Sequence, residues 1–285
     1  MAKKTFKISR ILIPLDLSEN SMLALEHGTF MAKLFKAELF LVHIMETRVL
    51  RLDLGSITTA EKKSATEAVQ TKLDELASQV YLKHGIKTRT IIKAGKISKS
   101  IVDAATENKI DIIVMGTHGV SGFEEFFIGS NAFRVVTEST CPVLTVQTHT
   151  SKMGFEKILL PIDSSDESRE KVPYAMRLAK AYNARIHILG ILSVDDDDAA
   201  ALLDKKLEQV EKYMEKHEID YTSELVEGDN LATTTLKYAK KSKADLICIM
   251  TEQEENFTGI FIGPYAQQVV NHSKIPVISI RPEVE

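Results

Sequence analysis

Two short turns, Gly116-Thr117-His118-Gly119 and Gly129-Ser130, have the residue types of a phosphate cradle, with ten positions from Gly119 to Gly129. Glycine lets a backbone bend sharply and approach a ligand without interference from a Cβ. A Gly-Ser pair opening a helix presents unpaired amides and a hydroxyl, and the helix dipole adds about 0.3–1 kcal/mol for an anion there. Asp16 follows the apolar run Ile11-Leu12-Ile13-Pro14-Leu15. Its carboxylate can accept hydrogen bonds from ribose hydroxyls or an adenine amino group, but would repel phosphates, so it belongs at the nucleoside end. Val42 can offer main-chain groups to an adenine edge. His118 reads first as a solvated loop residue, and His43 and His187, near the second strands, as satisfied structural histidines. Each glycine alone would be an ordinary turn-former. What matters is that these signals fall beside the same few strands.

The elements that must position them follow from hydrophobic periodicity. Apolar runs alternate with segments of helical period, the signature of βαβ units on a parallel sheet. Strands are expected at Arg10–Leu15, Glu38–Ile44, Lys87–Ile92, Asp111–Met115 and Val143–Gln147. Helices are expected at about Ser18–Phe35, Ala60–His84, Ser98–Asn108 and Ser130–Ser139. The chain then repeats itself. Arg10-Ile11-Leu12-Ile13-Pro14-Leu15-Asp16 returns as Lys157-Ile158-Leu159-Leu160-Pro161-Ile162-Asp163, at an offset of 147. Asp111-Ile112-Ile113-Val114 returns as Asp245-Leu246-Ile247-Cys248, at an offset of 134, so the second copy is 13 residues shorter. The surplus is expected around Arg51 to Ala60, and the join near His149 to Gly154. Strands of the second copy are expected near Lys157–Ile162, Arg185–Leu192, Tyr221–Val226, Asp245–Ile249 and Val277–Arg281. Right-handed crossovers make each copy an open, doubly wound, five-stranded parallel sheet, a Rossmann-like α/β fold. Ligands on such sheets sit beyond the carboxyl ends of the strands where the order reverses, which selects the residues just after Leu15 and Met115. The domains are thus 1–150 and 151–285.

Composition narrows the function classes. The first 150 residues carry 19 Lys and Arg against 16 Asp and Glu, the remainder 17 against 24. A mildly positive first half suits a small anion, and nothing has the basic excess of a nucleic-acid binder. The two cysteines, Cys141 and Cys248, fall in or beside apolar runs and suit a reducing compartment, without metal-ligand spacing. Pro14 and Asp16 interrupt the first apolar stretch, and no run reaches the length of a membrane helix, so a cytoplasmic protein without membrane contact is expected. The run Asp195-Asp196-Asp197-Asp198 reads as a solvated lead-in to a helix rather than a cation site.

At the offset of 134, Gly116 becomes Met250, Gly119 becomes Gln253 and Ser130 becomes Pro264, while Gly129 persists as Gly263. Proline is well tolerated at a first helical position, so the helix is kept while its anion site is dismantled. The second copy is therefore expected not to bind a nucleotide in the same way, and Asp163 to serve a turn or cap.

The spaced pattern Gly116-x2-Gly119-x9-Gly129-Ser130 follows Asp-Ile-Ile-Val-Met and precedes Cys-Pro-Val-Leu-Thr-Val. It resembles the ATP-binding signature of the universal stress protein family, as do Ile-Leu-Ile-Pro-Leu-Asp at the start and Leu-Val-His in the second strand. The resemblance spans nearly the whole chain as two copies, the first with an intact motif and the second with a degenerate one. It implies a stress-responsive, often dimeric protein in which ATP binding, or that of ADP or AMP, with or without Mg2+, acts as a regulatory state. It also implies that Pro14, Asp16 and Val42 line the nucleoside pocket, and that Met115, Gly116, Gly119, Gly129, Ser130 and Asn131 hold adenosine and phosphates. Asn131 departs from the small apolar residue common there, a change that a backbone contact would survive. Two alternatives stand beside this reading. One is slow ATP hydrolysis or adenylyl transfer with Asp16 and His118 as acid–base groups, although Leu17-Ser18-Glu19-Asn20 replaces the Ser-Gly-Gly loop expected of pyrophosphatase-type relatives. The other is an interaction module whose last strands pair the copies as a pseudo-dimer and then two chains as a homodimer.

Overall fold

A computed structural model describes residues 6–46, 59–117, 128–148, 150, 152–165, 167–192, 197–251, 253–256 and 259–282. Gly119, His118 and most of the surplus segment 51–60 lie outside them. The chain forms two compact units, one built from residues within 8–148 and the other largely from those after 149.

The first unit runs β1 (Arg10–Pro14), α1 (Glu19–Phe35), β2 (Glu38–Glu46), α2 (Thr59–His84), β3 (Thr88–Gly95), α3 (Ile97–Glu107), β4 (Ile112–Gly116), α4 (Ser130–Glu138) and β5 (Val143–Val146). Its five strands lie in the order β3-β2-β1-β4-β5, all parallel. The centre of the sheet is fully apolar: Ile11, Leu12, Ile13, Ile112, Ile113 and Val114 have no exposed surface. Strands covered on both faces require such continuous runs. Asp111, repeated in the sequence as Asp245, holds the start of β1: its Oδ2 accepts from the Ser9 and Arg10 amides at 2.6 and 2.9 Å. Asp245 repeats the arrangement, accepting from the Glu156 and Lys157 amides. These aspartates satisfy amides that a strand's beginning would otherwise leave unpaired.

The second unit runs β6 (Lys157–Ile162), a 3-10 turn (Glu167–Arg169), α5 (Val172–Tyr182), β7 (Arg185–Leu192), α6 (Asp197–Lys216), β8 (Tyr221–Glu227), α7 (Leu231–Ser242), β9 (Leu246–Met250), β10 (Gln253–Asn256), β11 (Gly259–Ile262), α8 (Pro264–His272) and β12 (Val277–Ile280). The parallel strands repeat the order of the first unit as β8-β7-β6-β9-β12. Both units are therefore doubly wound, Rossmann-like α/β sheets. Asp195 and Asp196 lie outside the described residues, and α6 starts at Asp197.

Two departures from the expected elements separate the copies. After β9 the chain forms an antiparallel hairpin, Gln253 opposite Ile262 through Asn256 opposite Gly259. Its first strand, Gln-Glu-Glu-Asn, has no apolar alternation, so only the ladder reveals it. The second departure concerns the first helix of each copy. α1 begins three residues after Asp16, whereas α5 begins nine after Asp163, with a 3-10 turn between. Pro173, in the first turn of α5, explains the late start, since proline fits there and not deeper in a helix.

Candidate functional site

Beyond the carboxyl end of β1 the strands part. The β1–β4 register stops at Leu12 opposite Ile113, while the β1–β2 ladder runs on to the Leu15 amide bonded to the Val42 carbonyl at 2.8 Å. The chain then turns. Asp16 Oδ1 accepts from the amide of Ser18 at 3.0 Å and from its hydroxyl at 2.5 Å, and Leu17 takes a left-handed φ of 65°. Ser18 caps α1 by accepting from the Ser21 amide. Asp16 thus shapes the turn while Ser18 caps the helix, roles that suit these residue types.

On the other side of the crevice the Gly129 amide donates to the Thr117 carbonyl at 2.7 Å, and the Thr117 amide to Val146. This brings together the two ends of the glycine-bordered segment. α4 then starts at Ser130 with Gly129 as its N-cap and no side chain capping it. A helix leaves its first amides without intrahelical partners, so those of Ser130, Asn131 and Ala132 are directed at whatever occupies the crevice.

These parts enclose a cavity of about 390 Å³, a size within the range of small-molecule sites. Of the residues proposed from sequence, Pro14, Asp16, Val42, Met115, Gly116, Gly129, Ser130 and Asn131 all line it. Gly119 lies outside the described residues. The sequence did not single out Ile44, Glu46, Ile97, Ile101 and Thr117, which line it too. Val42, Ile44 and Glu46 alternate along β2 and so share a face; with Ile97 and Ile101 of α3 they make an apolar slot bordered by a carboxylate. The period-two spacing was visible, but the helix facing it was not assignable without the fold. Among the described lining residues there is no Lys or Arg. An anion held here relies on helix amides and the dipole, or on a cation that arrives with it. The donor set fits an adenine nucleotide: apolar slot for a base, carboxylate for a sugar, uncapped amides for phosphate.

A model of the universal stress protein family matches residues 7–147 and again 154–281. The chain belongs to the universal stress protein family. A universal stress protein of Methanocaldococcus jannaschii is 34% identical over 143 residues, spanning 48% of this chain and 81% of its own length. One from Mycolicibacterium smegmatis aligns almost end to end, covering 95% of this chain and 97% of its own, at 22% identity. The crystal structure of a universal stress protein from Archaeoglobus fulgidus superposes with a TM-score of 0.78 at 23% identity, covering 95% of this chain and 98% of that one. That likeness concerns the tandem fold.

Gly116 has a reason beyond ligand approach. A Cβ there would lie 2.9 Å from the Asn20 carbonyl oxygen in the first turn of α1. The missing side chain lets a universal stress protein helix seat its N-terminus against β4. Met250 occupies the matching place in the second copy and is buried, only 4% exposed. Cys248, two residues earlier on the same face of β9, has its sulfur 4.0 Å from the Lys171 carbonyl at the N-cap of α5. By strand alternation Met250 lies on the face of β9 turned toward the start of α5.

Other features also set the second copy apart. Asp163 Oδ1 accepts from the Ser165 amide at 2.8 Å, making a turn. Two lysines are almost wholly buried nearby: Lys171 Nζ donates to the Ser168 carbonyl and hydroxyl, and Lys206 Nζ to the Ser164 and Ser165 carbonyls, both at 2.6 Å. α8 starts at Pro264, so its first position offers no amide. The thiols carry no sign of activation. Burial pushes Cys141 up to about 11 and Cys248 up to about 12. Among the described residues no cluster of three His, Cys, Asp or Glu is placed to hold a metal ion, and no helix is long and apolar enough to cross a membrane.

Proposed function

We propose that the first copy binds an adenine nucleotide, ATP or else ADP or AMP, as a regulatory ligand of a stress-response protein, and that the second copy does not bind one in the same way. The observation that carries this reading is the single cavity on which the Asp16 carboxylate, the β2–α3 apolar slot and the uncapped α4 amides converge. The base would enter the slot beside Val42, the ribose would meet Asp16, and the phosphates would meet the amides of Ser130 and Asn131. Mg2+ would accompany the phosphates, since no lining cation among the described residues offsets their charge. Nothing on the described walls has the geometry of an activated nucleophile with its base, which favours a bound regulatory state over turnover. The test is to denature freshly purified protein and identify released small molecules by mass spectrometry, alongside Ser130→Glu. The variant sets a carboxylate at the phosphate end, on an exposed position where helices accept it. An adenine nucleotide from the wild type and none from the variant is expected. Failure of the wild type to bind ATP, either as purified or in titration, overturns the reading.

A further inference from the structure

At the mouth of the crevice the β1–β2 ladder ends, and its end leaves a main-chain acceptor to be satisfied. The β1–β2 ladder ends at Pro14 opposite Val42. Continued for one more step, its alternation would give the Leu15 carbonyl to the Ile44 amide. Instead the side chain of His43 takes it, with Nδ1 2.7 Å from Leu15 O. A carbonyl only accepts, so Nδ1 carries the proton. Leu15 is buried, and its carbonyl immediately precedes Asp16 and the left-handed Leu17. The imidazole thus replaces a ladder bond where the sheet splits, and fixes the peptide from which Asp16 projects.

The second copy supplies the contrast. Arg10 pairs with Glu38 and Lys157 with Arg185, so the register makes Gly190 the counterpart of His43, and Phe40 that of His187. The two histidines are therefore not equivalent. Gly190 has no side chain to donate, and a Cβ there would meet Leu207 at 2.7 Å. The loop after β6 is held by Lys206 from α6, which grips the carbonyls of Ser164 and Ser165. The histidine clamp is present in the copy with the Asp16 cavity and absent from the copy whose glycine turns are lost.

We infer that His43 is a positioning residue for nucleotide affinity: its Nδ1–H holds the Leu15 carbonyl so that the turn presents Asp16 to the ligand without His43 touching it. The inference rests on the nucleotide reading of the same cavity. Its test is calorimetric titration of ATP into the full chain, with wild type, His43→Ala, His43→Asn, Asp16→Ala and the double variant, each with its melting temperature. Asparagine places an amide N–H near the position of Nδ1, so His43→Asn keeps the clamp that His43→Ala removes. Loss of one buried hydrogen bond predicts about ten-fold weaker binding in His43→Ala, with Kd within about three-fold of wild type in His43→Asn. In the Asp16→Ala background the histidine substitution has little further effect, because the two act through one turn. Unchanged affinity in His43→Ala overturns the inference while the functional reading stands. So does equal loss in the alanine and asparagine variants, or a full second loss in the double variant. A wild type that does not bind ATP overturns both.

Discussion

At the scale of single residues, the site is made by positions where a small change has a defined neighbour. Gly116 is one: its hydrogen faces the Asn20 backbone, an atom that cannot swing aside. Gly116→Ala is expected to destabilise the chain by about 1–3 kcal/mol through overpacking, read as a lower urea midpoint at unchanged m-value. His187 is another. Its Nε2 is buried without a hydrogen-bond partner and its Nδ1 lies 3.0 Å from the Thr222 hydroxyl. Burial first, then the charges of Lys157 and Arg185, hold its pKa below the ordinary 6.5, against weaker opposing effects of Asp220 and Asp245. A base with a depressed folded pKa binds fewer protons folded than unfolded, so stability falls as the pH drops below about 6.5 and levels off under the folded value. Melting temperature should rise with pH through that window, and His187→Phe should flatten the rise. An unaltered slope in the variant would assign the rise to other groups.

At the scale of elements, the copies differ in how the first crossover loop is held. In the first copy an Asx turn, a serine cap and a histidine lead straight into α1. In the second, a 3-10 turn and the buried Lys206 replace them, and α5 starts later. Lys206→Met would retain the aliphatic stem and strip the donor from two loop carbonyls. It should cost about 1–3 kcal/mol, since buried acceptors left unpaired forfeit their solvation. Thermal melts at neutral pH check this, and a variant as stable as the wild type would show that water satisfies both carbonyls.

At the scale of the whole molecule, the tandem is a duplicated sheet, and the proposal gives nucleotide binding to one copy and not to the other. One adenine nucleotide per chain is the expected stoichiometry by equilibrium dialysis. Two would mean that the second crevice binds despite Pro264 and its hairpin, and would retire the division of roles. The repeat itself was legible in the sequence because Asp111 and Asp245 each tie off a first strand, and because strands buried on both faces must be apolar throughout. Lys157–Ile162 and Arg185–Leu192 match the expected ranges at both ends, since such runs stop where polar turn residues begin. Asp16, Val42, Gly116, Gly129 and Ser130 were named from types and spacing, Pro14, Met115 and Asn131 from the family resemblance, and the fold brings them to one cavity.

What sequence alone determined was therefore whatever local chemistry dictates: strand and helix type, the duplicated order, the turn glycines and the caps. What only the tertiary structure decided were relations between residues far apart in the chain. Ile97 and Ile101 become a wall only once α3 lies against β2, and His43 becomes a clamp only where two strands part. The physical reason is common to both. A side chain's role is set by the atoms it meets, and those atoms belong to elements whose separation in sequence carries no record of their distance in space.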